Sequence, residues 1–193
     1  MAENARESIL EAARRTAQAH GYGGLNLRDI AAEAGIKAAS IYYHFPGKAE
    51  LGAAVARRYW ENTAANLEAL SAAIKDPAKA LQAYPNLFRR SLEEDNRMCL
   101  CSFMSAEYDD LPDAVKTEVQ AFADVNVAWL ARMLSAACGA GLDWEARARA
   151  IFAAVAGAQL MARSRASLSL FDTLIGSFID SGLIPSRDPG TGP

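Results

Sequence analysis

Apolar residues recur along this chain at intervals of three and four, the spacing that places them on one face of an α-helix. Long alternations of β-branched and polar residues do not occur, and alanine is abundant, which favours helix over strand. The pattern therefore predicts an all-α fold with about nine helices. Their approximate ranges are 5–20, 26–34, 38–44, 48–74, 77–95, 100–108, 112–137, 144–163 and 167–181.

Polar residues, glycine and proline mark the ends of these helices. Asn26, Asp76 and Asp143 stand where an N-cap side chain would accept a backbone N–H of the first turn. Gly35 is expected to end the second helix, because glycine adopts the left-handed conformation of a helix C-terminus without strain. Pro85 lies inside the helix predicted over 77–95 and is expected to kink it.

The predicted helices are short before Pro46-Gly47 and long after it, which indicates two domains. Three short helices with a glycine turn between the second and third form a helix-turn-helix pattern. We assign residues 1–47 to this N-terminal domain and residues 48–185 to a larger helical domain. The tail IPSRDPGTGP is expected to be disordered, and its residues 186–193 belong to neither domain.

Composition and charge limit the kinds of partner. About half of the residues are hydrophobic, 51%, and 22% are charged, which is ordinary for a globular protein of 193 residues. The net charge is −3, although the first 50 residues are neutral. A nucleic-acid contact would therefore have to use a local patch of basic side chains. The longest uncharged apolar run, 151–162, would span roughly 18 Å as a helix, too short to cross a membrane.

The stretch IKAASIYYHF, residues 36–45, sets two tyrosines and a histidine side by side, so some of them must face outward. The surrounding segment LNLRDIAAEAGIKAASIYYHFPGKAEL resembles the DNA-binding region of the TetR/AcrR family of bacterial transcriptional repressors. The similarity covers about the first quarter of the chain. It lies in Gly21-Tyr22, Arg28-Asp29-Ile30-Ala31, Ala34-Gly35-Ile36, Ser40-Ile41-Tyr42-Tyr43-His44-Phe45, and Lys48 before Glu50-Leu51.

This resemblance implies a DNA-contact surface built around the third helix. A recognition helix presents its first residues to base edges, while flanking groups hold phosphates. The resemblance assigns phosphate contacts to Tyr42, His44 and Lys48, and Ile41 and Phe45 should turn inward. Alternatively, the tyrosines merely cover the core of the small domain. The predicted DNA-contact residues are Arg28, Lys37, Ala38, Ala39, Ser40, Tyr42, Tyr43, His44 and Lys48.

The last two predicted helices suggest a homodimer. One face of helix 144–163 consists almost entirely of small residues, which permits close approach of another helix. The final helix is more apolar than a solvent-facing terminal helix should be. Both features fit a four-helix bundle between two copies, which the resemblance also implies; the alternative is an ordinary intrachain core. The predicted interface residues are Ala150, Ala154, Gly157, Ala158, Met161, Phe171, Leu174, Ile175 and Phe178.

The resemblance further implies a small-molecule effector site in the larger domain. Asn126 interrupts an apolar stripe of its helix, so it needs a buried polar partner or a ligand. The mainly apolar lining suggests a small, largely uncharged organic effector, although each aromatic residue taken alone fits plain core. The candidate lining residues are Tyr59, Trp60, Tyr84, Phe88, Cys99, Phe103, Met104, Phe122, Asn126 and Trp129.

Two other kinds of function compete with this one. An enzyme is disfavoured because no catalytic set, phosphate-binding glycine loop or metal-binding helix motif occurs, so we predict no catalytic residues, no metal and no cofactor. A thiol-based redox, electrophile or metal sensor would use Cys99 and Cys101. At the start of a short helix a thiol pKa falls, but buried cysteines usually just pack.

The sequence therefore predicts a dimeric, ligand-responsive transcriptional regulator. It would act as a repressor, leaving a palindromic double-stranded operator when a small effector binds. Three cysteines, an odd number without a dense framework, fit reduced thiols, so we expect a cytoplasmic protein without a membrane partner.

Overall fold

The computed structural model describes residues 2–139 and 143–186, with side chains from Asn4 onward. These residues form ten α-helices and one 3-10 turn, and strand is absent from them, so the predicted all-α fold is confirmed. Within the described ranges, no helix is long and apolar enough to cross a membrane. The α-helices are α1 (Ala2–His20), α2 (Leu27–Glu33), α3 (Ala38–His44), α4 (Lys48–Ala73), α5 (Pro77–Ala83), α6 (Asn86–Glu93), α7 (Leu100–Ser105), α8 (Asp113–Cys138), α9 (Trp144–Ser164) and α10 (Leu168–Asp180).

The three predicted N-caps are confirmed. The Asn26 side chain accepts from the backbone N–H of Arg28 at 2.9 Å. Asp76 and Asp143 accept from the second residue of α5 and of α9, each at 3.0 Å. Each cap satisfies a helix N–H that has no intrahelical partner, which is why these boundaries follow from local sequence.

Pro85 divides a predicted helix into two. The sequence predicts one kinked helix over 77–95, whereas α5 ends at Ala83 and α6 begins at Asn86. Proline has no N–H to donate and its ring collides with the preceding turn. Two short helices result, so the described residues form ten α-helices where the sequence predicted about nine.

The chain divides into two compact units. The first, which we call unit 1, contains the described residues up to Asn62 together with Cys99–Phe122. In unit 1, α1 packs against α2 and α7. Its fully buried side chains include Ile9, Ile30, Ile41, Leu51 and Met104.

Unit 2 contains Thr63–Met98 and the described residues from Ala123 onward. Here α9 packs against α10 and α6. Its fully buried side chains include Leu67, Leu81, Tyr84, Leu130 and Phe171. This division differs from the predicted boundary at residue 47, because α7 and parts of α4 and α8 belong to the same unit as the three short helices.

The beginning of the C-terminal tail is ordered, contrary to the sequence expectation. Ile184 is fully buried, and its backbone N–H donates to the Phe178 carbonyl at 3.0 Å. The Gln82 amide also donates to the Pro185 carbonyl at 3.0 Å. Burial of Ile184 and these hydrogen bonds together hold the segment. Residues 187–193 of the predicted tail lie outside the described residues.

Candidate nucleic-acid interface

A glycine turn joins α2 to α3 as the sequence predicts. Gly35 has φ of +70°, a conformation that costs glycine little and other residues more. The Ile36 N–H donates to the Ala31 carbonyl, and the Gly35 N–H donates to the Ala32 carbonyl. This pair of bonds is a Schellman motif, which ends α2 and aims the chain into α3. The helix-turn-helix geometry is thus fixed by local backbone chemistry.

The two faces of α3 differ sharply in exposure. Ile41 is fully buried and Phe45 nearly so, as predicted for the inward face. Tyr43 is 84% exposed and Tyr42 is 52% exposed. Both tyrosines are therefore accessible to a partner, and their DNA contacts stay predictions. His44 is half-buried, with its ring edge-on to Tyr43 at 5.2 Å between centroids.

The remaining predicted contact residues lie at or near the starts of α2 and α3. Arg28 is exposed in the first turn of α2. Lys37 is the N-cap residue of α3 and is exposed, as are Ala38, Ala39 and Ser40. Within unit 1 the predicted base-reading residues are thus accessible, and their DNA contacts remain predictions.

Lys48 has protein partners of its own. Its ammonium donates to the Gly23 carbonyl at 2.9 Å and lies 4.7 Å from the centroid of the Tyr22 ring. The side chain is half-buried at the start of α4. An ammonium carries three N–H donors, so one bond to a carbonyl is compatible with a phosphate contact. Lys48 therefore ties α4 to the turn after α1, a link that local sequence does not reveal.

Sequence reasoning also missed Glu107. Its carboxylate accepts from the backbone N–H of Tyr22 at 2.5 Å and from that of Gly23 at 2.9 Å. These residues are more than eighty positions away in sequence. Glu107 falls in a polar stretch before the 3-10 turn and shows no local pattern that marks it out.

Several effector candidates of unit 1 have aromatic or polar partners. The rings of Tyr59 and Phe122 lie 5.6 Å apart, and the Trp60 indole N–H donates to a Glu118 carboxylate oxygen at 2.7 Å. Met104 is fully buried, and Phe103 is half-buried. Met104 and Phe122 thus belong to the core, whereas Tyr59 and Trp60 are partly exposed.

Glu118 is a buried acid that sequence reasoning overlooked. Only 6% of it is exposed, and it also accepts from the Arg57 guanidinium at 2.6 Å. The hydrogen bond from Arg57 lowers the pKa of Glu118, and the bond from Trp60 acts in the same direction, against the opposing effect of burial. The sequence spacing did indicate that Glu118 is buried, since it lies three residues after Val115 and four before Phe122 on the buried stripe of α8.

Cys99 is the N-cap residue of α7, as predicted, but its thiol is buried. Burial raises the pKa of the Cys99 thiol, and hydrogen bonds with Ser102 and Tyr59 lower it by less. Burial likewise raises the pKa of Cys101. The lowering expected from the helix start is therefore wrong, because desolvation of a thiolate outweighs it. These directions favour packing over thiol reactivity.

In unit 2 the remaining effector candidates form an aromatic cluster. The Tyr84 ring stacks on Trp129 at 5.8 Å and meets Phe88 edge-on at 5.6 Å. The Tyr84 hydroxyl donates to the Asn126 side-chain oxygen at 2.9 Å, and both residues are fully buried. Asn126 thus has the buried partner that the interrupted stripe requires. The backbone carbonyl of Phe88 accepts from the buried Gln159 amide at 2.7 Å.

Most of the predicted dimer residues are accessible, but two are not. Ala158 is 2% exposed and Phe171 is 1% exposed, so both belong to the core of a single copy and drop out of the candidate interface. Met161 and the neighbouring Leu160 are at least half exposed, 50% and 58%. Ala150 and Gly157 are exposed, and Ala154, Leu174, Ile175 and Phe178 are half-buried.

Two open grooves of unit 2 are large enough for a small organic molecule. One, of about 390 Å³, is lined by Ala64, Leu67, Glu68, Val125, Ala128, Trp129 and Arg132. The other, of about 520 Å³, is lined by Ala123, Asp124, Val127, Ala128, Ala131, Glu145, Arg149 and Phe152. No group of three or more His, Cys, Asp or Glu side chains in the described ranges is arranged to hold a metal ion.

Comparisons with known proteins point to one family. Residues 9–55 match the family model described as bacterial regulatory proteins, tetR family. The chain is 38% identical over 82 residues, 42% of its length, to the HTH-type transcriptional regulator LmrA of Bacillus subtilis (strain 168). It is 29% identical over 115 residues, 59% of its length, to the HTH-type transcriptional repressor DhaR of Mycobacterium sp. (strain GP1). The matches span 44% and 57% of these two relatives.

The fold of the described residues agrees with this match. A TetR-family transcriptional regulator from Agrobacterium tumefaciens superposes with a TM-score of 0.87 and 26% identity. The superposition covers 94% of this chain and 98% of that one. Residues 9–55 thus match the tetR family of bacterial regulatory proteins, and the fold of the chain is similar to that of a TetR-family transcriptional regulator.

Proposed function

We propose that this protein is a transcriptional regulator that binds operator DNA through α3 and the residues flanking it. The observation that carries the proposal is the outer face of α3, where Tyr42 and Tyr43 are exposed while Ile41 anchors the helix in the core. Exposed tyrosine side chains on a helix that Lys37 precedes suit phosphate and base-edge contacts in the major groove. The names of the two matched relatives, a transcriptional regulator and a transcriptional repressor, support it.

The regulator acts as a homodimer in this proposal. Leu160 and Met161 are apolar and at least half exposed on α9. An added Cβ at Gly157 would meet no atom within 4 Å, so the small-residue ridge leaves room for a second helix. Two-fold symmetry of the protein matches the symmetry of a palindromic operator.

The proposed signal is a small, mainly apolar organic effector that relieves repression. Support comes from unit 2, where Leu67, Val125 and Trp129 line a groove of about 390 Å³. Glu68 and Arg132, which pair at 2.5 Å, also line it and provide polar anchors. The activity belongs in the bacterial cytoplasm, where the DNA is, and it involves no catalytic chemistry.

Selection of bound sequences from a random DNA pool tests the core of this proposal. We expect a palindrome whose half-sites lie about one helical turn apart, roughly 34 Å. A thermal-shift screen of small organic compounds, followed by operator release, tests the effector. Recovery of no preferred sequence by the wild-type protein would contradict DNA-specific regulation.

A further inference from the structure

The turn between α1 and α2, residues 21–24, is held by a carboxylate from a distant part of unit 1. Both oxygens of Glu107 are used, one by the Tyr22 N–H at 2.5 Å and the other by the Gly23 N–H at 2.9 Å. Gly21 makes this approach possible, because its φ is +69° and an added Cβ would collide with the Glu107 carboxylate. We call this contact the Glu107 clamp.

The same turn also contacts the side chain of Lys48. The Lys48 ammonium donates to the Gly23 carbonyl at 2.9 Å and lies 4.7 Å from the Tyr22 ring centroid. Gly23 therefore gives its N–H to Glu107 and its carbonyl to Lys48. The negatively charged Glu107 and the positively charged Lys48 therefore both hydrogen-bond to the backbone of Gly23.

We propose that Glu107 is a positioning residue for DNA binding, acting through this turn on Lys48. The proposal rests on the proposed function, in which Lys48 contacts a phosphate. Hydrogen bonds from backbone N–H groups to a carboxylate are charge-assisted and stronger than neutral ones. When the clamp is lost, the Gly23 carbonyl is no longer held in place, and the flexible Lys48 side chain must be ordered at the moment of binding.

Glu107→Gln tests the proposal because the expected effect opposes simple electrostatics. Removing a negative charge from a DNA-binding protein ordinarily strengthens its attraction to the phosphate backbone. We expect Glu107→Gln instead to weaken affinity for the selected operator by about 3- to 10-fold. The matched control is Asp109→Asn, an exposed acid two residues away, which should bind as well as wild type or slightly better.

Two further measurements distinguish an effect on the position of Lys48 from a general loss of DNA binding. The slope of log affinity against log salt should become shallower in Glu107→Gln, by up to about one unit per half-site, as a phosphate contact is lost. In a Lys48→Ala background, Glu107→Gln should cause no further loss, because the two residues act on the same contact. Unchanged affinity and slope relative to Asp109→Asn, or additive losses in the double variant, would overturn the proposal.

Amide hydrogen exchange examines the clamp without any DNA. The N–H groups of Tyr22 and Gly23 should exchange slowly in the wild-type protein and faster in Glu107→Gln. Fast exchange in the wild type would refute the clamp even if the variant failed to fold. Failure of the wild type to select any DNA sequence would instead count against the proposed function, and the exchange result would still report on the contact.

Discussion

At the scale of single residues, side chains that are adjacent in sequence differ widely in solvent exposure. Ile41 and Tyr42 are adjacent, yet one is fully buried and the other is 52% exposed. The helical period fixes which of them faces the core. For Lys48, by contrast, the structure adds a contact with Gly23, so its role combines holding the turn with the proposed phosphate contact.

Substitution of Lys37 and of Lys48 should separate base recognition from phosphate contact. Lys48→Ala should weaken binding to all sequences alike and reduce the salt slope by about one unit per half-site, because it removes a phosphate contact. Lys37→Ala should instead change the preferred bases, since Lys37 precedes the first turn of α3. Lys75→Ala, an exposed lysine outside the helix-turn-helix, serves as the control. A salt slope unaffected by Lys48→Ala would show that Lys48 contacts no phosphate.

Gly52→Ala should destabilise the protein although alanine favours helix. An added Cβ would lie 2.8 Å from an edge carbon of the Tyr22 ring, and Tyr22 is only 8% exposed. Overpacking of this kind costs about 1–3 kcal/mol, more than the roughly 1 kcal/mol gained from helix propensity. Chemical denaturation measures the change. Gly176→Ala in α10, where nothing lies within 4 Å of the added Cβ, should be neutral or stabilising.

At the scale of elements, long-range polar pairs join helices whose ends are set locally. In unit 1, Arg57 and Trp60 of α4 both donate to Glu118 of α8. In unit 2, Tyr84 at the end of α5 donates to Asn126 of α8. Periodicity predicted α4, α8 and one helix over the range of α5 and α6, but it could not say which side chain of one helix would meet which side chain of another.

The pair between α4 and α8 predicts a dependence of stability on pH. The hydrogen bond from Arg57 lowers the pKa of Glu118 below its ordinary value of about 4.5, so the unfolded chain binds more protons in that range. The stability that Glu118 contributes is therefore present above pH 4.5 and lost as the pH falls through its folded pKa. In urea titrations, Glu118→Gln should be less stable than wild type at pH 7, and the difference should shrink below pH 4.5.

Asp124→Asn is the control for this experiment. Asp124 is an exposed acid of the same helix as Glu118, so its replacement should leave the stability curve close to that of wild type. A constant difference between wild type and Glu118→Gln from pH 7 to pH 3.5 would show that the charge of Glu118 is not what stabilises the pair.

At the scale of the whole molecule, the exposed apolar residues Leu160 and Met161 of α9 bear on the proposed dimer. Met161→Glu should convert the proposed dimer to monomer, because a charge would be buried without a partner at a helix-helix contact. Sedimentation at micromolar concentration measures this. Ala72→Glu, which places the same charge at an exposed alanine of α4, should leave the association unchanged. A wild-type protein that is monomeric at these concentrations would contradict the dimer itself.

The sequence by itself determined the helices and the outward face of α3. Caps such as Asn26, the glycine at position 35 and the spacing of Ile41 and Phe45 act within a few residues, so their effects can be deduced without knowing the rest of the fold. The sequence also located the interruption at Pro85, although it predicted a kink where the structure has two separate helices.

Only the tertiary structure decided the long-range partners. The contacts of Glu107 with Tyr22 and Gly23 join positions more than eighty residues apart, and no local pattern encodes them. Burial decided the pKa of Cys99 in the same way, because desolvation depends on everything packed around the thiol. Local chemistry fixes where each element begins and ends, whereas a side chain's partners and solvation follow from how distant elements pack.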